Sequence, residues 1–259
     1  MKQNRAVAAS RLARALRMLI VVAAAWAGEA VADTYIILSL IGDHVTIVGQ
    51  GSQVGSHLDQ NQSEVVPLVE SQLDDFAASV ADATIAKLRP DAGAATLRAS
   101  DPTLYRMSDS WLDADLTGVQ DLILVVRKQL PPLPDSHLLL IKPYRDQPDM
   151  KTGSDSRGSG KVSGLGFYID NVTRFVAMSA APGFLGVFAN FQLVLINLQT
   201  NAIEGHERVV LGTTHPAAYA KDGTVWNALN QTQKTRALQS LVKRGIENSL
   251  PRMLGSPKQ

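Results

Sequence analysis

The 259-residue chain contains no cysteine. It can therefore form neither disulfide bonds nor thiolate metal sites, and it has no residue to carry the lipid of a bacterial lipoprotein. Stability must come from packing alone.

The first 32 residues are predicted to be a cleavable secretory signal peptide rather than part of the fold. A basic segment (Lys2, Arg5, Arg11, Arg14 and Arg17) precedes the apolar residues 18–27, and residues 30–32 (Ala-Val-Ala) form a small-x-small cleavage site. An uncleaved membrane anchor is the alternative, but the apolar run is far shorter than the ~20 residues that span a bilayer. We therefore expect a periplasmic protein without a stable membrane span after cleavage.

Charge excludes nucleic acid as a partner of the mature chain. The whole chain has 25 Lys and Arg and 24 Asp and Glu, and the leader holds five of the basic residues and Glu29. Removing it changes the net charge from +1 to −3, so no basic footprint remains. We predict one mature domain, residues 33–259.

Hydrophobic periodicity predicts an α/β fold, with a mixed β-sheet and two long amphipathic helices packed on it. Residues 187–198 and 203–211 are rich in Val, Ile, Leu and Phe, and the polar residues between them are typical of a hairpin. Because the first arm is apolar on both faces, it should be a central strand. Further strands are predicted at residues 35–42, 45–48, 119–126, 137–142 and 164–170.

Apolar residues at three- and four-residue steps predict long helices at residues 64–88 and 226–250. A short helix is predicted at residues 101–110, after Asp101 and Pro102. Residues 49–63 and 147–163 are polar and lack periodicity, so the first is predicted as a loop and the second as a flexible loop or hairpin tip.

One polar cluster is a candidate for chemistry: Asp43, His44, His57 and Asp59. Histidine and aspartate together could bind a divalent metal, with His44, His57 and Asp59 as ligands, or perform acid-base catalysis. The alternative is a Gly-Asp turn that caps a hairpin beside a polar loop. Lipase-type and metallophosphoesterase motifs are both incomplete around these residues.

No other catalytic motif is present in the sequence. Residues 153–166 are glycine-rich but match neither a Walker loop nor a dinucleotide fingerprint. The five histidines never adopt H-x-H or H-E-x-x-H spacing, and there is no G-x-S-x-G elbow. We expect no cofactor.

A segment around a Pro-Gly break, residues 180–191, carries the apolar side chains Phe184, Leu185 and Phe188. If exposed, they would form a recognition patch for a partner. If buried, they would seal one end of the sheet.

Four stretches carry a resemblance to uncharacterised exported proteins of Gram-negative bacteria: residues 39–43, 55–61, 164–168 and 190–200. More distantly, the chain resembles the α/β domains of outer-membrane assembly factors such as curli-secretion lipoproteins, although it lacks their lipidated cysteine. These resemblances imply an exported α/β domain and no particular catalytic residue.

Two functions follow as the main hypotheses, and an apolar ligand carrier is a third possibility. The first is a non-catalytic periplasmic module that binds an envelope protein or a small ligand. The second is a metal-dependent hydrolase that uses Asp43, His44, His57 and Asp59.

Overall fold

A computed structural model describes residues 33–49, 62–68, 72–99, 102–109, 116–130, 135–152, 155–157, 160–171, 174–176, 179–181, 183–220 and 222–255. The expected leader lies outside these residues. Within them, no helix has the length and apolar character needed to cross a membrane.

Thirteen strands are described: β1 (Thr34–Ser39), β2 (His44–Gly49), β3 (Gln62–Pro67), β4 (Gly93–Leu97), β5 (Ser136–Pro143), β6 (Arg145–Asp146), β7 (Met150–Thr152), β8 (Asp155–Arg157), β9 (Val162–Asp170), β10 (Arg174–Val176), β11 (Ser179–Ala181), β12 (Phe184–Asn197) and β13 (Ile203–Pro216). The described helices are α1 (Gln72–Leu88), α2 (Pro102–Asp109), α3 (Thr117–Gln129) and α4 (Gln231–Leu254).

The nine-stranded mixed sheet is described here as five rows. A row is one long strand or two shorter strands that lie end to end. The antiparallel pair β13 and β12 forms the first two rows along their whole length. β5 and β9 follow each other along the far edge of β12, where Pro143 lies opposite Phe191 and Gly164 opposite Asn190. β1 and β2 form the fourth row, parallel to β5 and β9. β4 and β3 form the fifth row. The ninth strand, the two-residue β6, pairs with the start of β9.

The fourth row is irregular where β1 ends and β2 begins. Ser39 lies opposite Ile141 and Thr46 opposite Gly166, so residues 40–45 cover a distance that the third row covers with four residues. Because of the two extra residues, the backbone between Ser39 and Thr46 leaves the hydrogen-bond ladder with the third row. This strand break positions the site described below.

Helices α1 and α4 cover one face of the sheet. Alternate apolar residues of β1, β5, β9 and β12 meet Ala77, Ala81 and Ile85 of α1, and Val242 and Ile246 of α4. The two long amphipathic helices therefore pack as the sequence predicts, and the α/β fold class is confirmed.

The opposite face has two covers. Leu104 and Tyr105 of α2, with Val119, Leu122 and Val126 of α3, pack over the half of the sheet that contains β1 and β5. A short hairpin formed by β7 and β8 lies on the other half.

That hairpin lies in the segment 147–163, which the sequence predicts as a flexible loop or hairpin tip. Met150 is fully buried. A Cβ added to Gly186 would lie 2.1 Å from Met150 Sδ, and one added to Gly212 would lie 2.8 Å from Met150 Cγ. The two glycines thus make room for a methionine that anchors the hairpin.

Two predicted elements are wrong. Residues 119–126 belong to helix α3, not to a strand: the buried side chains Val119, Leu122, Ile123 and Val126 follow helical spacing, whereas Leu124 is 52% exposed. The predicted helix 64–88 is strand β3 followed by helix α1, and Pro67 ends the strand.

The last helix begins and ends later than predicted. Asn230 caps α4 by accepting from Gln233 N, and the Gln233 side chain accepts from Asn230 N. The helix continues through Pro251 to Leu254. The central hairpin and the short helix α2 agree with their predictions.

Gly245 of α4 allows the closest approach of that helix to the sheet. A Cβ at this position would lie 2.6 Å from Val209 Cγ1 and 2.7 Å from Phe191 Cζ. Gly245→Ala should therefore lower the free energy of unfolding by about 1–3 kcal/mol, despite the better helix propensity of alanine. Urea unfolding measures the effect.

The matched control is Gly205→Ala on β13, where an added Cβ meets nothing within 4 Å. This variant should change the unfolding free energy by less than about 0.5 kcal/mol. Equal effects of the two substitutions would contradict the proposed close packing.

Candidate functional site

The candidate site lies where three parallel strands end. β5, β1 and β4 run side by side. Ser39 and Leu97 are the last residues of β1 and β4, and Ile141 of β5 lies opposite Ser39. Open α/β sheets bind ligands at this edge. A small cleft that encloses about 10 Å³ lies here, lined by Ser39, Asp74, Asp75, Ala78, Thr96, Leu97, Arg98, Ala99 and Tyr105. We call it the carboxyl-end cleft.

The deepest charged group of the cleft is the carboxylate of Asp74, in the first turn of α1. Its Oδ1 accepts three hydrogen bonds: from Ser39 Oγ at 2.6 Å, Ile41 N at 2.9 Å and Gly42 N at 3.1 Å. Its Oδ2 accepts from the Tyr105 hydroxyl at 2.6 Å. The carboxylate therefore pairs the backbone N–H groups that the strand break removes from the ladder.

Gly42 is required for this arrangement. A Cβ at residue 42 would lie 2.6 Å from Asp74 N and 2.9 Å from Asp74 Cγ. A side chain there would push α1 away and break the hydrogen bonds to the carboxylate.

Burial dominates the electrostatics of the cleft. It raises the pKa of Asp74 to about 6, against the lowering effect of the hydrogen bonds from Ser39, Tyr105 and Ile41. Burial and the neighbouring Asp74 charge raise the pKa of Tyr105 far above its ordinary value. Tyr105 is therefore a permanent hydrogen-bond donor, whereas Asp74 can gain a proton in mildly acidic solution.

Two ion pairs lie near Asp74. Arg98 Nε contacts Asp75 Oδ1 at 2.8 Å, with side chains 60% and 41% exposed. His44 Nδ1 contacts Asp43 Oδ1 at 2.7 Å, and both side chains are partly buried. The first pair is available to a partner at the surface.

The structure tests only part of the predicted polar cluster. Asp43 and His44 lie together directly after the strand break, whereas His57 and Asp59 lie outside the described residues. The alternative of a turn capping a hairpin is wrong, because β1 and β2 run in the same direction within one row. Among the residues that the structure describes, no three histidines or acids are placed to hold a metal ion.

Of the two alternatives for residues 180–191, burial is confirmed and the exposed recognition patch is wrong. Phe184, Leu185 and Phe188 are 4%, 0% and 0% exposed. They lie on β12, which has strands on both edges and covers on both faces, so they belong to the core. In the described part of the chain, the exposed large hydrophobic residues are Val65 and Leu124.

Sequence reasoning missed Asp74, Ser39 and Tyr105. The helix predicted at residues 64–88 has Asp74 near its middle, whereas Asp74 lies in the first turn of α1. The sequence offers one signal for this site: the polar Ser39 ends an apolar strand, and Gly42 follows it. Comparison with protein-family models and with curated proteins found no match for the chain.

Asp74→Ala should lower the free energy of unfolding by about 3 kcal/mol or more, because two backbone N–H groups and two hydroxyl groups lose their buried acceptor. Asp75→Ala is the matched control. It removes only an exposed ion pair, which should cost less than about 1 kcal/mol. Chemical denaturation of both variants measures the difference, and similar losses would show that Asp74 has no special structural role.

Proposed function

We propose that the chain is a non-catalytic, exported module that binds a component of the cell envelope at the carboxyl-end cleft. One observation carries this proposal: the buried carboxylate of the cleft accepts four hydrogen bonds from the protein's own β1–β2 junction and α2. Such a group holds the walls of a recognition site in place.

The chemistry of Ser39 supports binding over catalysis. Ser39 carries one of three hydroxyl groups among the described residues that line the cleft, with Thr96 and Tyr105, and it is only 4% exposed. Oδ1 of Asp74 already accepts two backbone N–H groups in addition to this hydroxyl. A reaction would need a base with room to take up a substrate proton, and this oxygen has little room.

The size and charge of the cleft favour a protein partner over a small molecule. The cleft encloses about 10 Å³, room for about one water molecule, whereas ordinary small-molecule pockets enclose about 300–1,000 Å³. The exposed Asp75–Arg98 pair offers both signs of charge at the entrance. We infer that an envelope protein contacts the mouth of the cleft through polar or charged side chains that pair with Asp75 and Arg98.

The location is supported by the order of features in residues 1–32 and by the resemblance to exported Gram-negative proteins. Cleavage after residue 32 would leave Asp33 directly before β1, whose six residues are all buried.

Arg98→Glu tests the binding site. The bait is the full chain expressed with its leader and recovered from the periplasm, where N-terminal sequencing should find Asp33 first. The substitution reverses an exposed charge at the cleft, so the amount of partner captured from envelope extract should fall at least about fivefold, as expected for a loss of about 1 kcal/mol.

The control is Arg236→Glu, which reverses an exposed charge on α4, away from the cleft. Capture by this variant should match capture by the unsubstituted chain. If both variants capture the same partner equally well, the carboxyl-end cleft is not the binding site.

A metal-dependent hydrolase is the second proposal, favoured by the 2.7 Å contact between Asp43 and His44. A carboxylate on Nδ1 orients an imidazole so that Nε2 can ligate a metal. This function predicts one bound divalent ion per chain by elemental analysis, lost in His44→Ala and in His57→Ala. If no divalent ion binds and the double variant folds unchanged, the hydrolase proposal fails.

A further inference from the structure

Strand β13 forms one outer edge of the nine-stranded sheet. Its inner edge pairs with β12 along its whole length, and among the described residues no strand pairs with its outer edge. It has 14 residues, whereas the strands at the opposite side of the sheet, β3 and β4, have six and five. A long row of backbone N–H and C=O groups is therefore open to a further strand.

The hydrogen bonds of the hairpin show which backbone groups of β13 point outward. Ala217 N donates to Gly183 O in the register of the ladder. Because residues of an antiparallel strand alternate between its two edges, the odd-numbered residues of β13 beyond its register shift point towards β12. Tyr144 N donates to Asn190 O from the far side of β12, which agrees with this alternation, because Asn190 lies opposite Val210. The N–H and C=O groups of Val210 therefore lie on the outer edge.

β13 lacks the features that usually protect the edge of a sheet. Native edge strands are short, carry lysine or proline, contain bulges or are covered by another element. β13 has no lysine, its only proline is its last residue, and its register shift lies near its start. At its middle, Val210 and Leu211 are partly exposed. An open edge with an apolar centre is typical of a strand that pairs with another chain.

We propose that β13 pairs with β13 of a second copy of this chain, antiparallel and centred on Val210. The two nine-stranded sheets would then form one continuous sheet. The pairing has twofold symmetry, so the assembly closes as a dimer. This inference goes beyond the proposed binding function and is independent of it, because the carboxyl-end cleft lies beside β4, on the other side of the sheet.

The charges of β13 fit this register. Glu204, Glu207 and Arg208 all lie in its first half, and its second half contains no Asp, Glu, Lys or Arg. Antiparallel pairing centred on Val210 places the charged half of each copy against the uncharged half of the other. Pairing centred on Glu207 or on Arg208 would instead place like charges directly opposite each other, which is destabilising.

Helix α4 favours a second copy over an isolated extended peptide. A Cβ added to Gly245 would contact both Phe191 of β12 and Val209 of β13, so the helix lies over these two strands. Neighbouring strands are about 4.8 Å apart. In the continuous sheet the two copies of α4 would be separated by about two strand spacings, about 10 Å, which is an ordinary distance between packed helices. A second copy thus adds helix packing to the backbone hydrogen bonds.

Light scattering of the full chain over a dilution series tests the proposal. We expect the mass of two chains at high concentration and the mass of one chain after dilution. Val210→Lys should raise the dissociation constant at least about tenfold, because two lysines would meet at the symmetry axis. A chain that is monomeric at every concentration would overturn the proposal.

The matched control is Val65→Lys, because Val65 is 59% exposed on β3, at the opposite side of the sheet. The mass profile of this variant should match that of the unsubstituted chain. Circular dichroism of both variants should show that they fold. Equal effects of the two lysines on the dissociation constant would exclude β13 as the interface.

Cysteine substitutions test the register, since the chain has no cysteine of its own. Val210→Cys places each thiol opposite its own copy, at the Cα separation of about 5.5 Å that a disulfide can span. Mild oxidation should therefore link this variant as a dimer. The two copies of residue 205 would lie about 34 Å apart along the strands, so Gly205→Cys should stay unlinked. Equal cross-linking of the two variants, or none in Val210→Cys, would overturn the proposed pairing.

A strand from a different protein is a separate outcome of these experiments. A chain that stays monomeric and captures an envelope protein, with capture lost in Val210→Lys but retained in Val65→Lys, would refute pairing between copies. The Arg98→Glu result concerns the cleft on the other side of the sheet, so either proposal can fail without the other.

Discussion

The carboxylate of Asp74 is the interaction on which the arrangement of this sheet edge depends. The fourth row of the sheet leaves its ladder between β1 and β2, and a buried break of this kind would leave backbone donors unpaired. One side chain from α1 accepts from Ile41 and Gly42 and also from the hydroxyls of Ser39 and Tyr105. At the strand break, the Asp74 carboxylate therefore connects β1, α1 and α2 beside the carboxyl-end cleft.

The same group combines a structural and an electrostatic role. Removing an ionised carboxylate from water is costly, and the hydrogen bonds offset only part of this cost, so its pKa remains raised. A glycine at residue 42 is what allows α1 to approach closely enough. Stability and proton affinity at this site are thus set by the same contacts, and neither can change without the other.

Patterns confined to one element could be predicted from the sequence, whereas patterns joining distant elements could not. The central hairpin, the short helix α2 and the α/β class follow from composition, helix-start residues and periodicity, each of which is contained in a short stretch of chain. Helix α3 was mistaken for a strand because eight consecutive residues rich in Leu, Val and Ile fit both periods. Asp74 lies 31 to 35 residues from its side-chain partners Tyr105 and Ser39, so no local pattern could identify the site.

The five-row arrangement has a mechanical consequence. Only β12 and β13 run unbroken through both halves of the sheet, with 14 residues each. The other three rows are each made of two shorter strands, and their junctions lie near one line across the sheet. The two halves of the sheet are therefore joined by the continuous strands β12 and β13. Bending should concentrate along the line of junctions, away from these two strands. Asp74 lies at this line, where it bonds the end of β1 to α2.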